Sequence, residues 1–286
     1  MEIEKLKAKK SIKELLEFGI IIFDKPENCT SFDVVDFVRR KLRLRKASHF
    51  GTLDPMVTGV LPLALNRAVK LTGFFIGEDK EYTGTMRMHD DVSIDEINKV
   101  IEKKFIGKII QMPPVRSSVK RQEREREIKK FKLLEKNGKD ISFIVECQGG
   151  TYIRKLVHDL GEEMGIGAHM IALRRIRAGI FKESESVTKE EFEIAVDEYE
   201  RGKEEKLRKI ILPAEVITKV YPVVKVKKEF VEKILHGAPI DEKFLIKKEK
   251  VERGKVICIF NDEKFIGMYK VINEGTIFAR AEFVLQ

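Results

Sequence analysis

The chain has 286 residues, enough for one large domain or two with a sizeable core. Its 56 basic residues against 47 acidic ones give a formal charge of +9, which favours solubility and a polyanionic partner, nucleic acid being the usual one. No apolar run approaches the ~20 residues a spanning helix needs, residues 1–17 are too charged for a signal peptide, and Cys29, Cys147 and Cys258 lie outside CxxC pairs, which argues against a disulfide framework or a cysteine zinc site and for a reducing compartment.

Residues 1–18 read as a charged arm with helical character. Gly19 to Asp24 is apolar and β-branched, hence a strand, ended by Asp24-Lys25-Pro26. Thr30 to Asp33 resembles a capping box, and Val34, Val35, Val38 and Leu42 continue at helical spacing. Six cations between Arg39 and Lys46 suit a solvated helix end and a phosphate contact equally well. The next stretch, Ser48-His49-Phe50-Gly51-Thr52-Leu53-Asp54-Pro55, carries one carboxylate on a stiff turn before the apolar run Val60 to Leu65. Such an acid beside a buried strand is a candidate nucleophile or general base; the same residues also suit an ordinary Asp-Pro turn.

Arg67 to Phe75 reads as a short helix, Lys80 to Met88 as a strand carrying Tyr82, and Ser93 onward as a capped helix. Val115 to Arg126, after Pro113-Pro114, is cationic with interspersed acids and few apolar anchors, which predicts a loop or hairpin arm. Ile128 to Glu135 and Asp140 to Cys147 form a hairpin around Asn137-Gly138. A Gly pair then leads through Tyr152 and Arg154 into a helix ending at Gly165 and Gly167. Leu173 to Arg177 is a basic strand, and Thr188 to Tyr199 a capped helix. Glu200 to Arg208 is a charge run and a candidate linker. Beyond Pro213, short strands and turns form a small β-rich module.

No dinucleotide, phosphate-loop or zinc-protease motif is present, and the five histidines do not pair at metal-binding intervals. Basic patches interleaved with Phe50, Tyr82 and Tyr152 fit RNA, whose splayed bases stack on aromatic rings.

Six blocks carry more information than their spacing: Phe23-Asp24-Lys25-Pro26 with Thr30-Ser31; Gly51 to Pro55 with Thr58 to Pro62; Lys80-Glu81-Tyr82; Pro113 to Arg121; Gly150 to Arg154 with His158 to Gly161; and Gly167 to Met170 with Leu173-Arg174-Arg175. In this order they resemble the TruB/dyskerin family of pseudouridine synthases, in the archaeal branch that works in box H/ACA ribonucleoproteins. The resemblance implies an α+β fold: a catalytic domain over residues 15–210 with a mixed, largely antiparallel sheet, and a small barrel-like PUA RNA-binding domain over 213–286, to which residues 1–14 are a candidate addition. It implies isomerisation of chosen uridines in rRNA and tRNA without cofactor or metal, in the cytoplasm of an archaeal cell. It further implies a guide RNA, a substrate RNA, small Nop-type and Gar-type proteins, and a kink-turn-binding ribosomal-type protein reached through the RNA.

By the same resemblance Asp54 matches the essential nucleophile, Tyr82 the ring that stacks on the target base, and Arg154 the partner of the acid. Tyr152 and Leu173 match pocket walls, His49 a base-flipping histidine, and Lys25 a support of the catalytic loop grouped with the substrate-binding residues. Arg116, Lys120 and Arg121 match a thumb loop that clamps RNA, although Gln122, Glu123 and Glu125 depart from the cationic continuation usual there. Two other readings are a stand-alone synthase for the T-loop uridine of tRNA and a catalytically idle RNA scaffold. Met88-His89-Asp90-Asp91 and Arg116 to Arg121 favour the guided enzyme, and the intact Asp54, Tyr82 and Arg154 oppose the scaffold.

Overall fold

The run Gly-Ile-Ile-Ile-Phe-Asp-Lys extends into β1 (Gly19–Lys25), buried in all but one residue, as expected of an apolar, β-branched strand inside a layered domain. The structure, a computed structural model, describes residues 2–113, 120–247 and 250–285. It divides into two units, residues 21–65 with 71–210, and residues 1–20 with 66–70 and 211–286.

The first unit is built on one sheet. Its strands are β2 (Ala47–His49), β3 (Thr58–Leu65), β4 (Lys80–Met88), β5 (Gly107–Gln111), β6 (Arg124–Asn137), β7 (Asp140–Cys147), β8 (Ala168–Ala178) and β9 (Phe181–Lys182). They run in the order β1-β3-β8-β4-β7-β6-β5, with β2 on β3 and β9 on β8. β3 is parallel to β8, while β4, β5, β6 and β7 pair antiparallel, so the sheet is mixed and mostly antiparallel. Gly59 is required where β3 meets β8: it has φ 101°, and a Cβ there would stand 2.2 Å from the Arg175 carbonyl oxygen. The β6–β7 hairpin turns with Gly138 at φ 58°, a value glycine adopts without strain.

The sheet is covered by helices whose starts are written in their caps. Thr30 and Asp33 close a capping box on α3 (Ser31–Lys41), Ser93 and Glu96 on α5 (Ile94–Lys104), and Thr188 and Glu191 on α7 (Lys189–Glu200). α6 (Ile153–Glu163) buries Ile153, Leu156, Val157 and Leu160 and packs on β8. The cations at the end of α3 are largely paired: Arg39 and Arg40 with Asp36, Lys41 with Glu193, Arg43 with Glu200.

Three local expectations are corrected. Arg67 to Phe75 is a 3₁₀ turn (Asn66–Leu71) followed by the single turn α4 (Thr72–Phe75). The charge run after Glu200 is not a plain linker, because Glu205–Ile210 forms α8 from residues that favour helix. Arg124 to Arg126, read as loop or hairpin arm, begin β6 and pair with Ile109 to Gln111, so for these residues the arm holds and the loop does not. Of the expected arm, residues 114–119, and with them Arg116, lie outside the described residues.

The second unit holds α1 (Ile3–Lys9), α2 (Ile12–Glu17), β10 (Ile211–Pro213) and a five-stranded sheet. That sheet orders β11 (Val223–Lys225), β13 (Val256–Asn261), β14 (Lys264–Glu274), β15 (Ile277–Val284) and β12 (Ile240–Asp241), with α9 (Val231–Leu235) beside them. Val224, Ile234, Ile257, Ile259, Ile266, Tyr269 and Phe278 share its core. Lys10 reaches the buried Glu215 at 2.5 Å, tying the N-terminal arm to this unit.

Candidate active site

Asp54 lies on the loop between β2 and β3. Three apolar residues anchor that loop: Phe50, Leu53 and Val57 are 1%, 4% and 5% exposed. Phe50 stacks on Phe75 and Phe181, ring centroids 4.7 and 5.9 Å away, and burying one such ring is worth about 1.5–3 kcal/mol. Between these anchors the Asp54 side chain keeps 44% of its exposure.

The main chain around Asp54 is held just as firmly. Ser31 Oγ accepts from Leu53 N at 2.8 Å and donates to Leu53 O at 3.1 Å. Pro55 O accepts from Asn28 N at 3.0 Å and from Lys25 Nζ at 3.0 Å. Lys25 is fully buried, and its ammonium also donates to Pro26 O at 2.7 Å and Cys29 O at 2.8 Å. Three carbonyls thus take its three protons, while burial lowers its pKa. The grouping of Lys25 with substrate-binding residues is therefore corrected: it faces the loop's own backbone and props it.

Arg154, the second residue of α6, donates from Nη2 to Asp54 Oδ2 at 2.8 Å, with 52% of its side chain exposed. Tyr152 occupies the N-cap position before α6 and provides no side-chain cap. Gln111, buried at the end of β5, supplies one instead: its Oε1 accepts from Tyr152 N at 3.0 Å and its Nε2 donates to Tyr152 O at 3.2 Å. The helix start that carries Arg154 is thereby fixed.

Tyr82 and Leu173 come from adjacent strands. Tyr82 pairs with Arg175 and Gly84 with Leu173 across β4 and β8, so the four positions form two rows on one face. Gly84 leaves Leu173 room, since a Cβ there would stand 3.0 Å from Leu173 Cδ1. Tyr82 is 8% exposed and stands opposite Arg175; burial raises its pKa, which the nearby Arg175 charge partly offsets. His49, at the end of β2, accepts from Gly51 N at Nδ1, 3.3 Å away. Burial, and then the charge of Arg175, pushes its pKa down, which favours the neutral imidazole.

Sequence reasoning brought Asp54, Arg154, Tyr82, Leu173, Tyr152 and His49 forward; Lys120 and Arg121 are exposed. It overlooked Ser31, Lys80, Gln111 and Arg175. Lys80 is 4% exposed and donates to Ile76 O at 2.9 Å and Glu78 O at 2.5 Å, with its pKa brought to about 8 by burial. One signal for Arg175 was available: it stands two residues from Leu173 and so shares that residue's face of the strand. Among the described residues no three His, Cys, Asp or Glu side chains gather to hold a metal, and no helix is long and apolar enough to cross a membrane.

The sequence pattern of the TruB family pseudouridylate synthase N-terminal domain matches residues 39–153, and that of the tRNA pseudouridylate synthase B C-terminal domain matches 154–219. A probable tRNA pseudouridine synthase B of Methanopyrus kandleri is 42% identical over 251 residues, which cover 87% of this chain and 74% of that protein. Among solved structures, a Cbf5-Nop10-Gar1 complex matches with TM-score 0.88 and 37% identity, over 97% of this chain and 88% of the other. An H/ACA ribonucleoprotein bound to a substrate RNA containing 2′-deoxyuridine matches with TM-score 0.86 and 35% identity, over 98% and 89%.

Proposed function

The chain belongs to the TruB family of pseudouridine synthases, and from that membership we propose that it is the catalytic subunit of a guide-RNA-directed box H/ACA complex. The enzyme isomerises uridine in RNA; the guided mode, with rRNA and tRNA targets, is the proposed part. Its partners would be a guide RNA, Nop-type and Gar-type proteins, and a ribosomal-type protein reached through the RNA. The likeness to a Cbf5-Nop10-Gar1 complex and to an H/ACA ribonucleoprotein bound to a substrate RNA supports this reading.

The observation that carries the site assignment is the Asp54–Arg154 pair, 2.8 Å apart with both side chains still accessible. Isomerisation needs the uridine out of its stack, the N1–C1′ bond broken, the base turned, a C5–C1′ bond made and the C5 proton released. We assign Asp54 as nucleophile and Arg154 as the group that orients it by a charge-assisted hydrogen bond. Tyr82 offers a stacking face for the base, Leu173 and Tyr152 the walls, and His49 a neutral ring near the entry. The reaction is redox-neutral, so these side chains need no cofactor. We place catalysis in residues 15–210 and assign the PUA role to the β-rich part over residues 213–286, joined by the N-terminal arm.

The test is tritium release from RNA carrying 5-tritiated uridine, with and without a guide RNA and partner proteins. Guided turnover that vanishes when the guide is omitted supports the proposal, and Asp54→Asn should abolish release while RNA still binds. Turnover on a bare tRNA T-arm would favour the stand-alone reading, which the printed name of the Methanopyrus kandleri relative supports.

A further inference from the structure

We propose that Arg175 is a positioning residue for the isomerisation, holding the phenol of Tyr82 and both ends of the Asp54 loop in one frame. The proposal rests on the assignment of Asp54 and Tyr82 above.

Arg175 is 1% exposed and its contacts bracket the loop. Nη2 donates to Gly51 O at 3.1 Å, three residues before Asp54, and Nε donates to Val60 O at 2.7 Å, six residues after it. Tyr82 stands directly opposite Arg175 across β4 and β8, and the guanidinium charge acts on its phenol. A planar fork of five N–H donors can serve three directions at once, which a lysine ammonium on a flexible stem does less well. The strand beneath is equally constrained, since Gly59 admits the Arg175 main chain at a distance no side chain would tolerate.

The charge is also unusual in its company. Among the described residues Arg175 makes no ion pair, and the groups around it include Tyr82, Cys147, His49 and Lys80. An uncompensated buried cation is costly, and replacing buried ions with apolar groups is often neutral or stabilising. Stability alone therefore does not account for a guanidinium here. Its placement makes sense as a brace that sets the stacking ring and the nucleophile's loop relative to each other.

The experiment is a double-mutant cycle on the full chain, assembled with guide RNA and partner proteins, with 5-tritiated RNA under single-turnover conditions. Variants are Arg175→Gln, Tyr82→Phe and both together, with RNA affinity measured in parallel. Arg175→Gln should lower the single-turnover rate 10- to 100-fold and change the RNA Kd less than threefold. In the Tyr82→Phe background the same change should cost a smaller factor, because one of the two parts that Arg175 sets relative to each other has already lost its polar group, while the contacts to Gly51 and Val60 remain. An equal loss in both backgrounds, or a loss confined to RNA affinity, overturns the proposal. Should Arg175→Gln fail to fold, Arg175→Lys, which keeps the charge and loses the fork, enters the same cycle with the same criterion. Asp54→Asn is assayed alongside: activity surviving there refutes the nucleophile assignment and leaves the Tyr82–Arg175 coupling measurable by itself.

Discussion

Replacing Ser31 with alanine should uncouple the catalytic loop from its support. Ser31 is 1% exposed, and its hydroxyl satisfies both polar main-chain atoms of Leu53, the residue before Asp54. Each buried group left unpaired costs about 1–3 kcal/mol. With some relaxation of the loop, Ser31→Ala should lower stability by about 2–4 kcal/mol, within the 5–15 kcal/mol typical of a folded domain. The larger effect falls on rate. A shift of roughly 1 Å in a reacting group costs on the order of 100-fold, so single-turnover tritium release should drop by at least tenfold. Thr30→Ala is the control. It removes the cap of the same helix, where Thr30 Oγ1 accepts from Asp33 N at 3.1 Å, and it spares both contacts to Leu53. It should cost about 1 kcal/mol and leave the rate within twofold. If both variants are destabilised and both keep the wild-type rate, the clamp on Leu53 does not position Asp54 and the reasoning fails.

Other predictions follow from the same contacts. Arg154→Ala should change stability by less than about 1 kcal/mol, because the pair with Asp54 is half exposed, yet reduce the single-turnover rate more than 100-fold; matched losses in melting and rate would refute an orienting role. Lys80 titrates at about 8 in the fold against 10.5 in the open chain. Between those values the unfolded chain binds more protons, so stability relative to Lys80→Met should rise with pH, by about 3 kcal/mol across the window, and stay level below pH 8. Denaturant titrations at pH 7, 8, 9 and 10 check this, and a flat difference refutes it. RNA binding should weaken steeply with salt, since a chain of net charge +9 displaces counterions from phosphates; an affinity equal at 50 and 300 mM salt would exclude an extended phosphate interface.

Much of this architecture can be read from local chemistry. Capping boxes at Thr30, Ser93 and Thr188 announce three helices, and the Asn137-Gly138 pair announces the β6–β7 hairpin. Asp54 is legible as a candidate acid from its turn, but its pairing with Arg154 emerges only through the resemblance, because residues 54 and 154 meet by topology rather than by spacing. What escapes sequence reasoning is of two kinds. Arg124 to Arg126 look like loop as much as hairpin arm because a strand next to the sheet edge has no apolar alternation to show. Ser31, Lys80, Gln111 and Arg175 look like surface residues because polar side chains usually are. Their burial is decided by distant main-chain atoms that need a partner: Leu53 for Ser31, Ile76 and Glu78 for Lys80, Tyr152 for Gln111.

Beyond its apolar anchors, the main chain next to Asp54 is secured through carbonyls and amides, by Lys25, Asn28 and Ser31. Backbone atoms are common to every amino acid, so this tether is indifferent to which side chains the loop displays. Met56, 65% exposed beside Pro55, can accordingly vary among variants without disturbing the acid. Tolerance and intolerance are thus inverted with respect to distance: the freest position adjoins the nucleophile, and the strictest sit beneath it, out of contact with any solvent.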